Sequence, residues 1–125
     1  MYKFSKKSKE KLQSCHWKLQ EIMNEVIKHI DCTIVYGHRG EKEQTKLYQQ
    51  GDSRLKFPKS KHNKLPSLAV DVQPYPFGSK KQDEKFHELA GVIKVVTSLK
   101  GFKVEWGYDL WGWDMWHWQL AKGEE

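Results

Sequence analysis

Apolar residues near the start of the chain recur every three or four positions, which is the spacing of one face of an amphipathic helix. The pattern predicts a helix from about residue 6 to 30, with its apolar face formed by Leu12, Cys15, Leu19, Ile22, Val26 and Ile30. Two further helices are predicted at about 41–50 and 82–99. Each is followed by a glycine suited to a helix C-terminus, at positions 51 and 101.

Short runs rich in β-branched and aromatic residues predict four strands. "CTIVYG" at 32–37 ends in a glycine, and "LAVDVQP" at 68–74 alternates until its proline. "FKVEWG" and "WHWQL" follow the last helix and are separated by a Trp- and Gly-rich turn at 106–116. This element order is typical of an α+β domain in which about three helices pack on a small antiparallel sheet.

A long segment without hydrophobic periodicity, residues 51–68, interrupts this pattern and is rich in Lys, Ser and Pro. Loops of more than about 12 to 15 residues in compact domains are usually functional or disordered. The stretch "SKHNKLPSLAVD" at 60–71 places His62 near the end of this loop and Asp71 in the strand that follows. It is either a turn between two elements or half of a metal site.

The composition indicates one folded domain. Of 125 residues, 38% are hydrophobic and 13% aromatic, which is enough for a core although 30% are charged. We therefore expect residues 1–125 to form a single domain, with no room for a separate targeting or binding module. No apolar run approaches the roughly 20 residues of a membrane span, and "MYKFSKKSKEK" lacks the apolar stretch of a secretory signal. Synthesis in the cytoplasm, without membrane insertion, is the expectation.

Net charge and cysteine usage do not decide between classes of binding partner. A net charge of +6 favours polyanionic partners, but nucleic acid, anionic lipid and the bacterial cell wall all fit that description. Cys15 and Cys32 form no metal-binding spacing and are expected to be reduced packing residues. The tryptophans between 106 and 118 suit core packing, a groove for peptide or sugar, or stacking on nucleic-acid bases.

A metal site is the sharpest chemical hypothesis. Two imidazoles and one carboxylate, from His62, Asp71 and His117, make the three-ligand set of a catalytic zinc, with the fourth position open. Nitrogen ligands favour zinc over calcium or magnesium. Six histidines in one chain nevertheless offer many accidental triples, so spacing alone leaves a structural interpretation open.

Two separated blocks, "SKHNKLPSLAVDVQPYP" and "WGYDLWGWDMWHWQL", resemble the M15 family of zinc peptidases. This family includes D-alanyl-D-alanine carboxypeptidases and the phage endolysins that cut L-alanyl-D-glutamate bonds. Similarity to the endolysin branch also covers "FSKKSKEKL" and "TIVYGHRGEKEQTKLYQQG". The resemblance implies a hedgehog/D-Ala-D-Ala peptidase-like fold. The family's usual run from His to Asp is two residues shorter, so Leu65 and Pro66 are expected to lengthen the loop without moving the ligands.

The resemblance also implies roles for individual residues. Zinc would be bound by His62, Asp71 and His117, and Asp114 would be the carboxylate that moves a proton from the attacking water to the leaving amine. Arg39, in "GHRG", would stabilise the oxyanion or bind a substrate carboxylate.

Other residues are expected to support the site or line the substrate groove: Ser60, His38 and Trp116. Without the resemblance, Asp114 is an ordinary turn former and Arg39 a surface charge. Asp109 is a nearby carboxylate that could be mistaken for the base. Gln119 stands where many relatives carry Glu in a His-x-Glu pair.

We therefore expect a zinc-dependent, endolysin-type peptidoglycan peptidase that hydrolyses the L-alanyl-D-glutamate bond of the stem peptide. The alternatives are a D-alanyl-D-alanine carboxypeptidase and a non-catalytic domain that binds cell wall or nucleic acid. Convergence of the three ligands and Asp114 would separate them, because a nucleic-acid module has no need of it. The enzyme is expected to be a monomer that binds no nucleic acid and acts on the wall after release from the cytoplasm.

Overall fold

The computed structural model describes residues 1–125 and has the predicted α+β class. The helices are α1 (Lys6–Gln13), α2 (Trp17–Val26), α3 (Glu41–Gln49), α4 (Gln82–Lys100) and α5 (Gly107–Trp111). The strands are β1 (Cys32–Tyr36), β2 (Ala69–Pro74), β3 (Val104–Trp106) and β4 (His117–Leu120). They form one antiparallel sheet in the order β1-β2-β4-β3. None of the helices has the length and hydropathy that a membrane span requires.

The first predicted helix is in fact two helices. The Ser14 hydroxyl donates to the carbonyl of Lys11 at 2.6 Å, an alternative partner that weakens the helix there. After Ser14 the chain pairs with Ser67. The Ser67 N–H donates to the Ser14 carbonyl, and the Ser67 carbonyl accepts the His16 N–H, both at 2.9 Å. Both helices bury the same apolar stripe, so the hydrophobic period runs through the break. With α5 inside the predicted turn, the expected number of about three helices was too low.

The hydrophobic core lies between one face of the sheet and helices α1, α2 and α4. Strict alternation along β4 directs Trp118 and Leu120 into this core and places His117 and Gln119 on the opposite face. Both cysteines are buried in the core, and neither forms a disulfide, as the sequence indicated. Burial raises the pKa of each thiol to about 12, which suits packing rather than nucleophilic chemistry.

The face of the sheet opposite the core brings Asp71 and His117 together. They are direct partners in the antiparallel register of the two central strands β2 and β4. On the other side of β2, strand β1 contains a bulge: Ile34 pairs with Val72, yet Tyr36 pairs with the adjacent Asp71. Bulges bend a strand and re-aim the residues that follow. This one lies where β1 leads toward Arg39.

The loop at 51–68 is mostly irregular and contains one 3₁₀ turn, Lys61–Asn63. The Ser60 hydroxyl accepts the His62 N–H at 3.2 Å, and the Asn63 side chain accepts the Ser60 N–H at 3.1 Å, so the turn is capped from both sides. Leu65 is 74% exposed, whereas Ser67 is fully buried. The additional loop length is therefore accommodated at the surface, between two anchored ends.

Candidate metal centre

Three side chains from separate parts of the chain converge on one point. His62 Nε2 lies 3.1 Å from Asp71 Oδ1 and 3.3 Å from His117 Nδ1, and the last two atoms are 3.3 Å apart. All three residues are buried. Ligands bound tetrahedrally to zinc at about 2.0 to 2.1 Å are roughly 3.3 Å from one another. The triangle thus has the dimensions of one face of a zinc tetrahedron.

The orientation of the His62 ring is set by the end of β1. Its Nδ1–H donates to the Gly37 carbonyl at 2.8 Å, and that oxygen can only accept. The other ring nitrogen, Nε2, then carries a lone pair directed at Asp71 and His117. A hydrogen bond from the distal nitrogen of a histidine to a carbonyl is typical of metal-binding histidines, because it fixes the tautomer.

The His117 ring is held from the opposite side. Its Nε2–H donates to Gln119 Oε1 at 2.9 Å, and the Gln119 amide in turn donates to Glu105 Oε1 at 3.0 Å. The Gln119 amide therefore links His117 to a carboxylate on the neighbouring strand. Glu105 and Gln119 are cross-strand partners on β3 and β4. Glu105 was not singled out by its sequence, since it belongs to no motif.

With neutral rings, no hydrogen lies between the three converging atoms. Burial raises the pKa of Asp71, but His62 and His117 lower it by more. The pKa of this carboxyl therefore lies well below its usual range. Burial lowers the pKa of His117, but the hydrogen bond and charge of Asp71 raise it by more. Three acceptors around one point require a cation, and these residues could hold a metal ion. Two nitrogens and one oxygen fit zinc.

Arg39 lies behind Asp71. Its Nη2 donates to Asp71 Oδ2 at 3.0 Å and its Nη1 to Gln44 Oε1 at 3.1 Å, while the guanidinium carbon lies 4.5 Å from the centre of the Tyr36 ring. Only 7% of Arg39 is exposed. The guanidinium thus leaves Oδ1 of Asp71 facing the two histidines. This contact with a ligand was not expected from the sequence, and the buried Gln44 that shares it carries no sequence signal.

Asp114 is half-buried on the segment that leads into His117. Its Oδ1 accepts the Trp116 N–H at 3.3 Å. Burial and the negative charge of Asp71 raise the pKa of Asp114. Asp109, by contrast, pairs with Lys94 at 2.7 Å on the surface, where both side chains are half exposed.

The remaining residues expected at the site, Ser60, His38 and Trp116, make different contacts. Ser60 caps the turn that carries His62, whereas His38 bonds the Lys64 carbonyl at 2.9 Å. The Trp116 ring stacks on Phe86, with the ring centres 6.5 Å apart. The tryptophan that lies against one of the three converging residues is Trp111, whose ring centre is 5.3 Å from that of His117. The sequence offered no way to choose among neighbouring tryptophans.

Gly107 lets α5 approach the segment that carries Asp114 and His117. A Cβ atom at this position would lie 2.5 Å from the Asp114 carbonyl oxygen and 3.1 Å from the Cβ atoms of both Asp114 and His117. A methyl group does not fit against backbone at 2.5 Å, so the segment would have to move.

Given the peptidase activity that the resemblance implies, Gly107→Ala is expected to lower hydrolysis about 10- to 100-fold, since small displacements of catalytic groups have effects of this size. The measurement is the rate of peptidoglycan hydrolysis at saturating metal. Gly91→Ala is the matched control, because a Cβ there would meet nothing within 4 Å. Equal activity of the two variants would show that the close approach does not position Asp114 and His117.

Comparison with known proteins agrees with this geometry. Residues 1–117 match the family described as phage L-alanyl-D-glutamate peptidase. Among solved structures, the chain is similar to the L-Ala D-Glu endopeptidase ChiX of Serratia marcescens, with 25% sequence identity and a TM-score of 0.76. That similarity covers 94% of this chain and 89% of the Serratia chain. No curated protein sequence matches. The family match extends over all three converging residues.

Proposed function

Because the chain belongs to the phage L-alanyl-D-glutamate peptidase family, we propose that it is a zinc-dependent peptidase with His62, Asp71 and His117 as metal ligands. Asp114 is its catalytic carboxylate. The substrate is the stem peptide of bacterial peptidoglycan, and the bond cut is that between L-alanine and D-glutamate, in the manner of an endolysin. Both the family and the similar Serratia endopeptidase support this choice.

The observation that carries the proposal is the convergence of three acceptor atoms at zinc spacing, with each histidine held by a second hydrogen bond. A domain that only bound cell wall or nucleic acid would gain nothing from it, because buried acceptors without a cation destabilise a fold.

In this proposal, zinc supplies the Lewis acid and the protein supplies the proton transfer. Zinc, when bound, supplies a Lewis acid that makes a water ligand acidic near neutral pH and polarises a carbonyl group. The Trp116 N–H holds Asp114 Oδ1 and leaves Oδ2 to accept the proton of the attacking water. As the water oxygen bonds to the alanine carbonyl carbon and the C–N bond breaks, Asp114 returns that proton to the amine of D-glutamate.

Mass spectrometry of purified peptidoglycan after digestion tests this function. New L-alanine carboxyl termini and D-glutamate amino termini are the expected products. Release of terminal D-alanine instead would identify a D-alanyl-D-alanine carboxypeptidase. An intact wall after incubation with zinc-loaded protein would leave only a binding role.

The same proposal includes the domain organisation, the oligomeric state and the place of action of the enzyme. Residues 1–125 act as one catalytic domain and as a monomer, without nucleic acid or membrane insertion. The protein is made in the cytoplasm and reaches the wall after release.

Arg39→Ala is expected to weaken zinc binding about 10- to 100-fold, because removing a partner of a metal ligand has effects of this size. The reason is that Arg39 holds Asp71 Oδ2. Zinc affinity measured by competition with a chromophoric chelator checks this, with Lys42→Ala as control for an exposed charge on α3. If Arg39→Ala bound zinc normally and only turned over more slowly, the guanidinium would act on the oxyanion instead.

A further inference from the structure

An exposed row of side chains leads away from the candidate metal centre. The Trp111 ring centre lies 5.3 Å from that of His117 and 6.2 Å from that of Trp113, and the Arg54 guanidinium carbon lies 4.4 Å from the Trp113 ring centre. We call Trp111, Trp113 and Arg54 the aromatic shelf. The two tryptophans are about half exposed, so they fill no core.

The shelf ends in positive charge. Arg54 belongs to a basic stretch of the long loop, in which no acidic residue separates Arg54, Lys56, Lys59, Lys61 and Lys64. The position over Trp113 stabilises the guanidinium by a cation–π interaction and leaves its N–H groups free to bind an anion. A planar guanidinium suits a carboxylate, which it can bind with two parallel hydrogen bonds.

The proposed substrate supplies such a carboxylate. In an L-alanyl-D-glutamate peptide, the glutamate gives its amino group to the scissile bond and still has two carboxyl groups. The continuing chain uses at most one of these, so the leaving side of the substrate carries a free carboxylate unless it is amidated. An enzyme for this bond gains specificity from a cation on that side.

Arg39 is poorly placed to be that cation. Its guanidinium is buried and bonded to Asp71 and Gln44. Arg54 is exposed and lies on the row of rings that begins at a metal ligand. A peptide extends at most about 3.3 to 3.6 Å per residue, so the shelf is a few residues long.

We propose that Arg54, stacked on Trp113, is a specificity-determining residue that binds a free carboxylate on the leaving side of the stem peptide. The proposal rests on the peptidase function above. It predicts that the enzyme prefers acidic stem peptides to their amidated counterparts and that this preference depends on Arg54.

Two pairs of synthetic stem peptides test it. In one pair the free carboxyl group of D-glutamate is an acid or an amide, and in the other the C-terminal carboxyl group is varied in the same way. For Arg54→Gln, KM for the acid is expected to rise about 5- to 10-fold, with KM for the amide and kcat unchanged within about twofold. The pair that loses its discrimination identifies which carboxylate is bound.

Lys56→Gln is the matched control, since it removes one positive charge from the same loop, but its ammonium lies over Tyr48, 5.4 Å from that ring centre. It is expected to keep the preference for acid. The role of Arg54 would be overturned if Arg54→Gln raised KM equally for the acid and amide peptides, or if this variant kept the wild-type preference for the acid. If the zinc-loaded wild-type protein cut none of the peptides, the peptidase function itself would fail, and the role of Arg54 with it.

Discussion

Asp114→Asn is expected to keep the fold and the metal and to lower peptidoglycan hydrolysis roughly 100-fold or more. An amide of the same shape cannot accept the proton of the attacking water. It can still accept the Trp116 N–H through its oxygen, so the local conformation is retained. Release of soluble peptidoglycan fragments over time, with zinc content measured on the same samples, gives the comparison.

Asp109→Asn is the control for that experiment. Asp109 is the nearby carboxylate on α5, and it pairs with Lys94 at the surface. Its loss is expected to change the rate less than twofold, in keeping with the small effects of exposed ion pairs. If Asp109→Asn were the inactive variant, the catalytic base would have been assigned to the wrong carboxylate.

Removal of the metal is expected to abolish hydrolysis, and protein prepared without chelator is expected to contain one zinc ion per chain. Three buried acceptors at zinc spacing provide one site. Binding to the folded state alone also raises stability, by about 2.7 kcal/mol at a free zinc concentration 100 times Kd. Metal analysis and thermal unfolding, with and without added zinc, measure both effects.

As the pH drops, zinc affinity is expected to begin to fall above about 6.5, the ordinary pKa of an imidazole, because both imidazoles must be neutral to bind metal. Burial lowers the pKa of His117, but Asp71 raises it by more, so protons compete at a higher pH than at a free imidazole. Titration of zinc affinity between pH 5 and 8 shows the trend. A metal content near zero, with no activity regained on adding zinc, would contradict the assignment of the site.

The resemblance supplies the candidate site residues, and the regularity of the strands explains why two of them face away from the core. Alternation in "WHWQL" separates His117 and Gln119 from the core residues Trp118 and Leu120, and the structure shows this division. Asp71 likewise lies between two buried valines in β2. In β2 and β4 the division between the two faces follows directly from the two-residue period of a regular strand.

What the sequence does not predict depends on contacts between distant segments. The break between α1 and α2 arises from pairing with Ser67, which no local pattern encodes. The bond from Arg39 to Asp71 joins the chain after β1 to β2, and the bond from Gln119 to Glu105 joins β4 to β3. Each requires knowing which strands are neighbours. A resemblance to a family supplies the ligands but not these partners.

A slip of one residue between β2 and β4 would turn Asp71 toward the opposite face of the sheet, because side chains alternate along a strand. In the observed register Asp71 is the direct partner of His117. With Asp71 and His117 as the proposed ligands, a misregistered molecule would lose a ligand and with it the metal. The ratio of bound metal to protein would then report the fraction of correctly assembled chains in a preparation, even when all molecules in the sample have the same size.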